Sequence, residues 1–165
     1  MGGILLLLVG GGGGAAAEVP FASLSDVCDC LITALSREEW SVPFTADVRY
    51  RPEFTLEELA EIRVAVCPER VGKLRVGRRV WQEDATVTVG MQKRVDAQSS
   101  QQDVDCDTLV RVWDEVCEFL QHEDGLIPGA ALVAVDATHC DRQHLLEHHC
   151  WTGTATLTYR RYRQQ

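Results

Sequence analysis

His139, Cys140, His144, His148, His149 and Cys150 form the densest group of chemically capable side chains in this chain of 165 residues. Imidazole and thiolate are the usual ligands of zinc. His144 and His148 are spaced by four, which on a helix puts them on one face, as a pair of metal ligands requires. Cys140 or Cys150 can complete such a site. The spacings match no CxxC-type motif, however. The plainer reading of residues 139–150 is a polar, histidine-rich loop with a mild pH response. A cysteine nucleophile paired with a histidine needs a third, orienting group and a pocket, and no pattern in the chain supplies them. The glycines at 10–14 precede no Lys-Ser or Lys-Thr pair, so they form no phosphate-binding loop. Glu57, Glu58 and Glu61 read as a solvated helical face. The expectation is therefore a protein without catalytic residues or cofactor. A metal- or cysteine-dependent enzyme built on His144, His148 and Cys140 is the alternative.

The elements that must carry these residues follow from periodicity. Leu24, Val27, Cys28, Leu31, Ile32 and Leu35 recur at three and four, which predicts a helix over 24–36 capped by Ser23. Alternation predicts a strand over 44–51, with Phe44, Ala46, Val48 and Tyr50 on one face and Pro52 ending it. Thr55 to Glu58 is a capping-box signature for one helical turn. A strand over 62–67 is expected to stop at Pro68, followed by a basic loop over 69–80. Residues 81–92 predict a strand with Ala85, Val87, Val89 and Met91 on one side. After a polar loop at 96–103, Leu109, Val112, Trp113, Val116, Phe119 and Leu120 stripe a helix over 104–122. A short strand at 131–135, a loop with a helical turn at 139–149 and a long strand at 152–162 complete the chain. The strands around 47–51 and 154–160 read as matched sheet edges. The fold class expected is α+β, a mainly antiparallel β-sheet with two principal α-helices packed on one face.

Length and composition bound the function. Residues 23–165 suffice for a single domain with its own core. The net charge of −9 argues against a nucleic-acid-binding surface. The charge is segregated. Residues 97–150 hold eleven acids with only Arg111 and Arg142 as bases, whereas residues 67–96 hold seven bases against four acids. Seven cysteines, an odd number with no metal spacing, read mostly as free thiols of a reducing compartment. Residues 1–22 stand apart. The apolar run at 4–9 is too short to cross a bilayer and follows no Lys or Arg, while the Ala-Ala-Ala-Glu junction is like a signal-peptidase site. A glycine-rich extension, or a start placed too far upstream, is the expectation, with a secreted binding domain as the further alternative.

Several segments carry a family resemblance. They are Val48-Arg49-Tyr50-Arg51-Pro52, Leu56-Glu57-Glu58-Leu59, Ile62-Arg63-Val64-Ala65-Val66-Cys67-Pro68, Val87 through Arg94, and Leu157-Thr158-Tyr159-Arg160. With the helix of Leu109, Val112 and Val116 between them, residues 24–162 resemble small phage and prophage proteins encoded among head-tail joining genes. More broadly they resemble the tail terminator (tail completion) proteins of long-tailed phages. The resemblance implies an α+β sheet with helices on one side and assembly into a ring, usually hexameric, at the head-proximal end of the tail tube. Its partners would be further copies of itself, the tail tube protein and the head connector. DNA would pass through without stable binding, no membrane would be involved, and the location would be the virion, assembled in the host cytoplasm. The glycine-rich start and the many cysteines and histidines depart from that pattern. For such assembly the expected contacts are Arg70, Lys73, Arg75, Arg78 and Arg79, the tail residues Arg161 and Arg163, and the acids Asp114, Glu115 and Glu118 of the second helix. The termini and the loop at 96–103 are further candidates. Acidic and basic regions of this kind can meet head to tail between copies.

Overall fold

The computed structural model describes residues 23–51, 53–96, 102–122 and 125–164. The extension at 1–22, the Pro52 strand stop and the centre of the loop at 96–103 lie outside the described residues. The elements are α1 (Leu24–Arg37), β1 (Thr45–Val48), a 3-10 turn (Glu58–Ala60), β2 (Arg63–Arg75), β3 (Val80–Arg94), α2 (Gln102–His122), β4 (Ala131–Thr138), α3 (Arg142–His148) and β5 (Cys150–Gln164). One five-stranded sheet runs in the order β1-β2-β3-β5-β4. All pairings are antiparallel except β1 with β2. The architecture is α+β, as the periodicities require.

Alternation sets which side of the sheet is dry. Val64 and Val66 of β2, Ala85, Val87, Val89 and Met91 of β3, and Trp151, Ala155 and Leu157 of β5 all enter one core. Val27, Cys28, Leu31 and Leu35 of α1 meet it, as do Leu109, Val112, Trp113, Val116 and Leu120 of α2. Both long helices therefore lie on the same face. α1 covers β1, β2 and β3, and α2 covers β5 and β4. The helix starts are written in local chemistry. Ser23 accepts from the Asp26 N–H, and Asp26 returns a carboxylate to the Ser23 N–H at 2.8 Å, a complete capping box. Thr55 and Glu58 form the same reciprocal pair at the 3-10 turn.

Four expectations need correction. The basic stretch at 69–80 is not a loop. β2 continues through Pro68 to Arg75, and only residues 76–79 turn. Proline is tolerated there because β1 pairs with β2 no further than Val66, so β2 has become an edge, and the register shifts between Pro68 and Arg70 as a bulge. β5 is not an edge, because β4 pairs along its outer side and takes that position. Tyr50 does not point inward. The chain leaves the sheet after Val48, and Tyr50 is 87% exposed. The last strand begins at Cys150 rather than Thr152, because α3 ends abruptly at His149.

Candidate interaction surface at the basic end of the sheet

The strand register gathers cations that are far apart in sequence. Lys73 lies opposite Glu83, which lies opposite Arg161, and the next row on that face is Arg75, Trp81 and Arg163. The other face carries Leu74, Gln82 and Tyr162 in one row and Gly72, Asp84 and Arg160 in the next. Arg78 and Arg79 sit in the turn between β2 and β3. Arg70, Lys73, Arg75, Arg78, Arg79, Arg160, Arg161 and Arg163 thus share one end of the sheet, with only Glu69, Glu83 and Asp84 among them. The two basic segments singled out in the sequence meet at one end of the sheet, spread over both of its faces.

Internal pairing ties the strands together at this end. The Glu83 carboxylate, buried on the helix side, accepts from Arg161 Nε at 2.7 Å and pairs with Lys73 Nζ at 3.2 Å. Burial pushes its pKa up, but the two cations outweigh that and hold it below the ordinary carboxylate value. On the other face Arg160 makes a two-pronged pair with Asp84, both contacts at 2.8 Å. That guanidinium is the chief cause of the lowered pKa of Asp84. Arg75 closes the turn by donating to the carbonyls of Gly77 and Arg78. The hydroxyl of Thr88 donates to Glu69 at the bulge.

Exposure distinguishes this end from an ordinary sheet margin. Every residue of β2 from Glu69 to Arg75 is exposed, on both faces of the strand. Leu74, Val76 and Tyr162 are large apolar side chains left in solvent there. Sequence reading missed these three. Their signal is visible in retrospect as apolar residues set among arginines where no buried stripe continues. Beside them, an open groove runs between the loop after α2 and the end of β5, lined by Ile127, Pro128, Val133, Arg160 and Tyr162 among others.

The acidic candidates lie on α2. Asp114 and Glu118 are exposed, and Glu115 is half-buried. Asp103 and Asp107 extend the exposed stripe toward the helix start, with Arg111 as its one cation. Asp114 pairs with His139 at 3.0 Å, and Glu115 accepts from the Ser41 N–H at 3.1 Å. The structure therefore puts the acids on the helix layer and the cations at the free end of the strands.

The histidine and cysteine segment lies on and around α3. His144 and His148 do share a face of α3, with ring centroids 5.7 Å apart. His144 Nδ1 is 3.2 Å from the hydroxyl of Thr152, and His139 turns to Asp114. His149 is the left-handed C-cap of α3, at φ 50°. Among the described residues, no three His, Cys, Asp or Glu side chains converge as ligands. All seven cysteines are free thiols. Burial raises the pKa of both Cys140 and Cys150.

No helix among the described residues is long and apolar enough to cross a membrane. Compared with protein-family models and with curated proteins, the chain matches none of them.

Proposed function

We propose that this chain is a self-assembling structural protein of the phage tail-terminator class. It forms a closed ring on the head-proximal end of the tail tube and joins the tube to the head connector. The observation that carries this reading is the separation of charge on one fold. Cations from two distant segments converge at the end of β2, β3 and β5, while the exposed face of α2 is acidic. A molecule with unlike patches at separate places associates head to tail, and such contacts close into a ring when the rotation between copies allows it. The α+β sheet with both long helices on one face agrees with the fold that the resemblance implies. With a net charge of −9, a ring of such subunits would let DNA pass without holding it.

The test is the solution mass of the full chain by light scattering after size exclusion, over a range of concentration and salt. A closed species near six copies, weakening as salt rises, is expected. A strict monomer at every concentration and at low salt overturns the reading.

A further inference from the structure

We infer that the free end of the β2–β3 arm docks onto the exposed acidic stripe of α2 in a second copy of this chain. The inference rests on the ring-assembly reading and deepens it by naming the two surfaces that meet.

The arm is unfinished as it stands. A strand packed on its own domain hides one face, so its exposure alternates, as it does where β5 runs from Ala155 to Tyr159. From Glu69 to Arg75, β2 alternates nothing, because both of its faces are in solvent. Among the described residues its outer edge is open as well, since β1 stops pairing at Val66. Leu74 is 60% exposed, Val76 48% and Tyr162 64%. Apolar side chains rimmed by charge mark a surface meant to be covered. Leu74 and Tyr162 share their face with Arg70 and Arg160, Arg78 and Arg79 stand at the tip beside Val76, and Arg75 and Arg163 lie on the opposite face, so the surface that covers this end is acidic.

That surface is present on the same molecule. Asp103, Asp107, Asp114 and Glu118 line the exposed side of α2, and Val104 among them is an exposed apolar residue, at 53%. α2 packs on β5 and β4, whereas the arm is carried by β2 and β3. Lys73, Arg160 and Arg161 make their ion pairs with Glu83 and Asp84 of the sheet itself. Those pairs and the Arg75 clasp at the turn hold the arm in shape before any partner arrives, which lowers the ordering cost of docking. Duplex DNA is the other acidic surface that an arginine-rich arm can meet. A chain of net charge −9 with four exposed acids on one helix favours its own copy instead.

Charge reversal in two halves tests this. One variant carries Arg78→Glu and Arg79→Glu, and the other carries Asp107→Lys and Glu118→Lys; all four positions are exposed. Each variant alone should need at least about tenfold more protein to assemble than the natural chain. Mixed one to one, the acidic arm of the first fits the basic helix of the second, and the basic arm of the second fits the acidic helix of the first, so assembly should return. Recovery in the mixture also shows that both variants fold. A third variant, Leu74→Ser with Val76→Ser, alters no charge and should weaken assembly with unchanged salt dependence. If the natural chain assembles and the two charge variants assemble equally well, the interface is wrong while the ring reading stands. The interface is equally wrong if the variants fail alone and their mixture fails although circular dichroism shows both folded. It is wrong too if Arg78→Glu with Arg79→Glu leaves assembly intact and only abolishes retention of duplex DNA. If the natural chain is a strict monomer, both readings fall.

Discussion

Gly153 shows how much one residue can decide. It lies in β5 between Trp151 and Trp113, and a Cβ there would stand 2.8 Å from the Trp151 ring and 2.9 Å from the Trp113 ring. Both indoles are fully buried, so neither ring can step aside freely. Gly153→Ala should therefore destabilise the fold by about 1–3 kcal/mol, the usual cost of overpacking a core, read as a lower urea midpoint. Glu58 acts through charge instead. Its carboxylate accepts from the Thr55 N–H at 2.7 Å and pairs with Arg49 at 2.6 Å. The Thr55 N–H first, and Arg49 second, lower its pKa from 4.5 to about 2. A depressed carboxylate stabilises the fold above its unfolded pKa, and that contribution fades as pH falls from about 4.5 toward about 2. Glu58→Gln should accordingly melt below the natural chain at pH 6, and the gap should close by pH near 2. A constant gap across that window in thermal melts would remove Glu58 titration as the cause.

At the scale of elements, the long strands β2, β3 and β5 carry charge rows across their backbone ladders toward the turn between β2 and β3. Lys73, Glu83 and Arg161 tie the three strands on one face, and Asp84 and Arg160 tie two of them on the other. Removing one member of a buried pair leaves the other charge without its partner, which costs more than the pair contributes. Glu83→Ala should lower stability by about 1–3 kcal/mol, discounted for the partial exposure of Lys73. It should also speed amide exchange selectively in the arm. Uniform exchange across the sheet would show that the row does not act as a local clamp. The bulge at Pro68 and the cations along β2 have a second effect. Among the described residues they blunt an edge that would otherwise be free to pair with a passing strand.

For the whole molecule, the separation of the two charged surfaces matters more than the net charge. Screening shortens to about 10 Å at 0.1 M salt, so assembly through the arm should weaken steeply between low and moderate salt. The apolar tip of Leu74, Val76 and Tyr162 should leave a residual, salt-insensitive part. The groove between α1 and α2, lined by Cys30, Thr33, Ala34, Phe119 and Leu126 among others, is open, and among the described residues no set of metal ligands converges. The features that exceed the needs of a stable domain are at the surface and the end of the sheet.

The sequence by itself determined the two helices, the face each buries and the inward residues of β3, since apolar spacing alone decides which side of an element can be dry. It determined the Ser23 cap and the Thr55–Glu58 capping box too, because those bonds span only three residues. Local signals misled where the partner strand was unknown. Pro68 reads as a stop until the structure shows an edge and a bulge that need no N–H from it. Tyr50 reads as inward until the chain is seen to leave the sheet. The histidines at 144 and 148 share a face, as their spacing requires, but whether a third ligand joins them depends on where His139 and Cys140 are carried. Most of all, only the tertiary structure could join residues 70–79 to residues 160–163. Their meeting depends on β5 returning beside β3 in one register, and pairing across some eighty residues is decided by the packing of the whole core rather than by any local pattern.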